Sequence, residues 1–231
     1  MSGSLPATPP GSEELGRHTG PLCGATASQN KKYAGTLADV MAEVWASDEP
    51  LGCLYRGAGV ALELLLRHTF HLPPKHIPLL LDERVCPLCD AGSPLRSFLW
   101  DGTASSYEQM PRLGDAAELV SLVFTRLRMG PHEVVVAIVL LESFVRDHGA
   151  VFKTHSARPL VLACCIVACK LASEKDVPTH EFAAAIGGCF TYASPLLVAR
   201  IEEQLLNLID WRFPNHPDTY REYARALVEA G

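Results

Sequence analysis

One run of residues restricts the possible folds more than any other part of the sequence. From residue 160 to residue 172 every residue except Lys170 is apolar. A helix that is apolar on all sides is buried in an interior. We therefore predict a helix over 158–173, with Pro159 in its first turn, that other helices surround. The ammonium of Lys170 then needs either a partner or a path to water.

Other segments show apolar residues at helical spacing, and after Gly114 no segment reads as a strand. Glycine and proline separate these segments at Gly130-Pro131, at Gly149 and at Gly187-Gly188. Besides 158–173, helices are predicted over 60–69, 115–129, 131–148, 178–186, 194–210 and 217–229. The expected fold class is therefore all-α, with the apolar helix at its centre.

The chain divides into three regions by composition. Residues 1–35 are rich in Gly, Ser, Thr and Pro without an apolar period, which predicts a disordered tail. Residues 36–110 form a partly helical extension, with a short helix starting at Thr36 and a proline-rich irregular connector after Leu72. Residues 111–231 hold the remaining helices and form the predicted main domain.

Composition argues against several classes of function. A formal net charge of −6 is unlike the basic surface of a protein that binds nucleic acids or anionic membranes broadly. No uninterrupted apolar run approaches the length of a membrane span, and the first 18 residues lack a secretory signal. Several cysteines lie inside apolar segments, as reduced core thiols do. We expect a nuclear or cytoplasmic protein. The cysteines in question are Cys164, Cys165, Cys169 and Cys189.

Signatures of catalysis and of cofactor binding are missing from the sequence. It contains no phosphate-binding loop, no GxSxG, no HExxH and no dinucleotide-binding glycine pattern. The only CxxC is Cys86 to Cys89, with His71 and His76 upstream, and this spacing matches no common zinc finger. A zinc site, a redox pair and ordinary loop cysteines remain alternatives for it. We expect neither enzymatic activity nor a cofactor.

The motifs after residue 114 resemble those of the cyclin family. The segments ARPLVLACCIVACK, AAAIGG, LIDWRF and TYREY occur in the order found in a cyclin box, and are most similar to the phosphate-pathway cyclins, also called P-type or U-type. The resemblance covers about residues 115–227. It implies a five-helix bundle around a buried central helix, preceded here by a helical extension.

The resemblance also implies a function. Cyclins are noncatalytic subunits that form heterodimers with cyclin-dependent serine/threonine kinases and activate them in processes such as the cell cycle. By position, Lys170 and Glu202 would contact the C-helix of the kinase. The apolar contacts implied around them are Leu171, Leu206, Trp211 and Phe213.

Plainer interpretations of the same residues stay open. Lys170 also fits a lysine that extends its head into water at a helix end, and Glu202 fits a solvated helix face. The cyclin fold also serves as an interaction module or scaffold in transcription, without kinase activation.

Overall fold

A computed structural model of the chain describes residues 50–73, 75–90, 114–173, 177–214 and 217–231. These residues form seven α-helices and no strand, which confirms the all-α fold class. The predicted tail over 1–35 and the helix starting at Thr36 lie outside the described residues. The helices are α1 (Pro50–Phe70), α2 (Asp115–Leu127), α3 (Pro131–His148), α4 (Thr154–Ala172), α5 (Thr179–Ile186), α6 (Pro195–Leu208) and α7 (Pro217–Ala230).

Helix α4 lies at the centre of the bundle, as its composition predicts. All its residues from Thr154 to Cys169 are buried, and α2, α3 and α6 pack around it. In the part of the chain described, α4 is the one helix that by length and composition could cross a membrane. Since 83% of the relevant window is buried inside the protein, packing accounts for this apolar character.

The start of α4 differs from the prediction. The helix begins at Thr154, so Pro159 lies inside it rather than in its first turn. Proline has no N–H, and the carbonyl of His155, four residues earlier, therefore loses its helical partner. The backbone N–H of Glu83 donates to that carbonyl at 3.0 Å. The helix tolerates Pro159 because another segment supplies the missing hydrogen bond.

Glu83 belongs to a segment that we call the strap, residues 75–90. Its only regular structure is a 3-10 turn at Leu79–Leu81. The sequence predicted an irregular connector, and the strap is irregular but packed. Leu81 and Leu88 are fully buried. The carboxylate of Glu83 accepts a hydrogen bond from Arg158 of α4 at 2.6 Å, and these side chains are 1% and 2% exposed. The strap therefore belongs to the core of the bundle.

The contact between strap and α4 predicts a pH dependence of stability. Burial, together with the charges of Arg84 and Lys153, lowers the pKa of His155 to about 4. In the unfolded chain His155 binds a proton near pH 6.5. Its contribution to the stability of the folded state is therefore fully present above pH 6.5 and is lost as the pH falls toward 4. We expect the free energy of unfolding to drop by up to about 3 kcal/mol through this group. Urea unfolding at several pH values between 7 and 4 measures it.

Two variants separate this effect from the titration of other groups. His155→Gln cannot titrate and should show a flatter dependence between pH 6.5 and 5, whereas His71→Gln, at an exposed histidine, should behave like wild type. Equal slopes for wild type and His155→Gln would contradict the assignment.

Helix α1 is ten residues longer at its start than the predicted 60–69. Glycines in its first half hid the apolar period, and two of them are needed for packing. A Cβ on Gly57 would lie 1.9 Å from the carbonyl oxygen of Leu227 in α7, and a Cβ on Gly59 would lie 2.5 Å from the Cα of Ala117 in α2. Close backbone approach at these glycines joins α1 to both neighbours.

Alanine substitutions along α1 test this packing. Gly57→Ala forces two backbones apart, and we expect it to lower the free energy of unfolding by about 2 kcal/mol or more. Gly52→Ala is the matched control on the same helix, because a Cβ there meets only Arg56 Nη1 at 3.8 Å. The control should be neutral, or stabilising by up to about 1 kcal/mol from helix propensity. Chemical denaturation of both variants provides the comparison, and equal stabilities would refute the close approach.

Candidate functional site

The structure brings Lys170 and Glu202 into direct contact. Lys170 lies in the last turn of α4, and Glu202 lies in the middle of α6. The Nζ of Lys170 is 2.7 Å from each carboxylate oxygen of Glu202. Their side chains are 15% and 5% exposed. The two residues form a largely buried ion pair at the end of α4.

A third helix contributes to the same site. Lys170 Nζ also donates a hydrogen bond to the hydroxyl of Thr179, in the first turn of α5, at 3.0 Å. The ring of Phe182, also on α5, has its centroid 5.9 Å from Nζ, within the range of a cation–π interaction. The ammonium therefore joins α4, α5 and α6. Its head is bonded inward, unlike the lysine extending into water that the sequence also allowed.

Local helical geometry explains why both charges meet. Lys170 follows buried Cys169 where α4 leaves the core, and the next residues are only partly buried. On α6, Glu202 is flanked one turn away on each side by buried Val198 and Leu206, so the helix turns it inward. The solvated helix face that the sequence also allowed for Glu202 is therefore wrong, since this residue is 4% exposed. A carboxylate this buried needs a partner, which Lys170 supplies.

The four apolar residues implied by the resemblance differ in accessibility. Leu206 is only 3% exposed and belongs to the core, so it has almost no surface of its own for a partner to contact. Leu171 and Phe213 are partly buried against the core. Trp211 is 39% exposed. In the free chain, Trp211 is therefore the member with the most surface available to a partner.

The end of α6 sets the position of Trp211. The N–H of Trp211 bonds to the carbonyl of Leu206 at 2.9 Å, and the N–H of Asp210 bonds to that of Asn207 at 3.3 Å. This pair of bonds is a Schellman motif, which normally has glycine at the position of Asp210. Asp210 and Trp211 instead adopt left-handed backbone with φ of 52° and 55°. Left-handed backbone costs a residue other than glycine about 1 kcal/mol or more, and Arg128 at the end of α2 adopts it as well.

The cysteine pair does not build a metal site in the described residues. Nowhere in that part of the chain do three His, Cys, Asp or Glu side chains group closely enough to hold a metal ion. Cys89 is buried, and its thiol lies 3.5 Å from the carbonyl of Cys189. Burial and the charge of Glu83 raise the pKa of Cys86, which disfavours the thiolate that a metal ligand or redox group needs. His71 and His76 are exposed.

Sequence reasoning missed Thr179 in this site and, toward the start of α4, the buried pair of Arg158 and Glu83. Thr179 had no distinguishing signal, since threonine is common near helix starts, and only the fold places it beside Lys170. The buried pair of Arg158 and Glu83 was also missed, because an arginine next to a proline looks like an exposed helix start.

A mutant cycle tests how tightly the ion pair is coupled. Lys170→Met leaves the buried Glu202 carboxylate without its counter-charge and should lower the free energy of unfolding by about 3 kcal/mol. The double variant Lys170→Met with Glu202→Leu should recover much of that loss, because no lone charge remains. Glu203→Gln, at the exposed neighbour, should change stability by less than about 0.5 kcal/mol. If the losses of unfolding free energy in the two single variants add up to the loss in the double variant, the two side chains are not coupled.

Comparison of the chain with protein-family models, with curated proteins and with solved structures finds no match.

Proposed function

We propose that this chain is a single-box cyclin of the phosphate-pathway type, a noncatalytic subunit that binds and activates a cyclin-dependent serine/threonine kinase. The observation that carries the proposal is the largely buried Lys170–Glu202 ion pair, together with the exposure of Trp211. These are residues that the cyclin-like motifs assign to the kinase contact. The protein would act in the nucleus or the cytoplasm as a heterodimer with the kinase.

The arrangement of the helices supports the proposal. The resemblance implies five helices with a buried central member; in this chain α2, α3 and α6 pack on the buried α4, and α5 packs on α2 and α6. In this assignment α1 and the strap are the additions that come before the box, and α7 follows it. Both flanking helices pack on the bundle, since α1 contacts α2 and α3, and α7 contacts α3.

Kinase chemistry explains how a noncatalytic subunit has an effect. A kinase is active when a glutamate of its C-helix pairs with the lysine that holds the nucleotide phosphates. A protein that binds the C-helix only in this inward position shifts the kinase population toward the active state. A difference in affinity of a few kcal/mol between the two positions is sufficient. At the end of α4, hydrogen bonds to Glu202 and Thr179 hold the ammonium of Lys170 in one position for such binding.

Trp211 provides a test that leaves the core untouched. We expect Trp211→Ala to weaken retention of a kinase about tenfold or more, as buried tryptophans at interfaces commonly do. The full-length tagged chain is purified from its own cells, and the eluate is assayed for a cyclin-dependent kinase and its activity. Tyr192→Ala is the control, because Tyr192 is an exposed aromatic residue that the cyclin-like motifs do not assign to the kinase contact.

The charge swap Lys170→Glu with Glu202→Lys probes the pair itself. It keeps two opposite charges in contact while reversing which helix carries each, so a folded swap variant should also lose the kinase. Circular dichroism establishes that the variant is folded. If the wild-type eluate contains no kinase, the proposal is wrong, and the alternative of an interaction module or scaffold in transcription is favoured.

A further inference from the structure

We infer that the hydroxyl of Thr179 occupies the position on Lys170 that a docking partner takes over, so that Thr179 lowers the affinity of the free chain for that partner. The inference rests on the proposed function and adds a residue to its site. Three acceptors surround the ammonium of Lys170, namely the two carboxylate oxygens of Glu202 and the hydroxyl of Thr179. The Nζ of Lys170 has three N–H donors, and the contacts at 2.7, 2.7 and 3.0 Å use all of them. A partner therefore gains a hydrogen bond from Lys170 only by displacing one acceptor.

The bonds to Glu202 are the harder ones to displace. Its carboxylate is 5% exposed, and separating it from the ammonium leaves a buried charge without compensation. Both bonds to this carboxylate are also charge-assisted on each side, which makes them stronger than a bond to a hydroxyl.

The bond to Thr179 is easier to exchange. Thr179 is partly exposed and neutral, and its hydroxyl can rotate toward water when Lys170 leaves. Its neighbours Pro178, His180 and Glu181 are exposed, so a partner that approaches from solvent meets this side of the ammonium first. Glu202 lies on the inner side.

The chemistry of the incoming group follows from the charges. A carboxylate from the partner would lie next to Glu202 and be repelled by it. A neutral oxygen, such as a main-chain carbonyl or a side-chain amide, replaces the hydroxyl without adding charge. The site therefore favours a partner segment that presents an uncharged acceptor to Lys170.

Thr179→Val tests the exchange, because it removes the hydroxyl with almost no change in shape. The dissociation constant is measured for the full-length chain and the cyclin-dependent kinase that co-purifies with wild type. We expect Thr179→Val to bind about three- to tenfold more tightly, since the partner no longer has to displace a hydrogen bond. Thr179→Ser keeps the hydroxyl and should bind like wild type. Thr125→Val, the same change at an exposed threonine of α2, is the matched control.

The possible results separate this inference from the proposed function. Tighter binding by Thr179→Val alone supports the exchange. If Thr179→Val binds as wild type does, the exchange is wrong while the kinase assignment stands. Weaker binding by Thr179→Val, with Thr179→Ser normal, also overturns the exchange and means that Thr179 holds Lys170 in its binding position. If no kinase binds wild type or variant, the proposed function fails and the inference fails with it.

Discussion

Burial of α4 is the constraint on which the rest of the structure depends. A helix that is apolar on every side must be covered on every side, and here α2, α3, α6 and the strap cover it. Each end of the buried helix then raises an electrostatic problem, because Arg158 and Lys170 carry charge where α4 is still largely enclosed. Both problems are solved in the same way, by a carboxylate from another segment. The charged pairs thus follow from the packing of α4.

The strap shows how an apparent connector becomes part of a core. Its proline-rich sequence prevents regular structure, so its backbone groups need partners elsewhere. One N–H goes to the carbonyl that Pro159 leaves unbonded in α4. Irregularity in one segment and a proline within a helix therefore compensate each other. The buried leucines of the strap then add apolar contacts that an exposed loop would lack.

The site at the other end of α4 combines stability with an available surface. The ion pair of Lys170 and Glu202 joins three helices through Thr179, and removing one charge is expected to destabilise the whole bundle. The turn after α6, with left-handed backbone at Asp210 and Trp211, leaves the Trp211 side chain 39% exposed. An exposed tryptophan suits recognition of another protein, because tryptophan is enriched among the residues that dominate binding energy at interfaces. We place the proposed kinase contact here for that reason.

The sequence by itself determined the all-α class, the central place of α4 and most helix boundaries, because helical periodicity and glycine or proline breaks are local signals. The predicted bounds of α3 are confirmed. The predicted start of α1 was wrong because glycines interrupt its apolar period, and that of α4 was wrong because Pro159 was taken for a first-turn residue. The sequence also singled out Lys170 and Glu202. Only the tertiary structure decided that they bond directly, that Thr179 completes the site, that Leu206 is buried and that Glu83 meets Arg158. Such contacts join residues distant in the chain, and no local pattern encodes which of them meet.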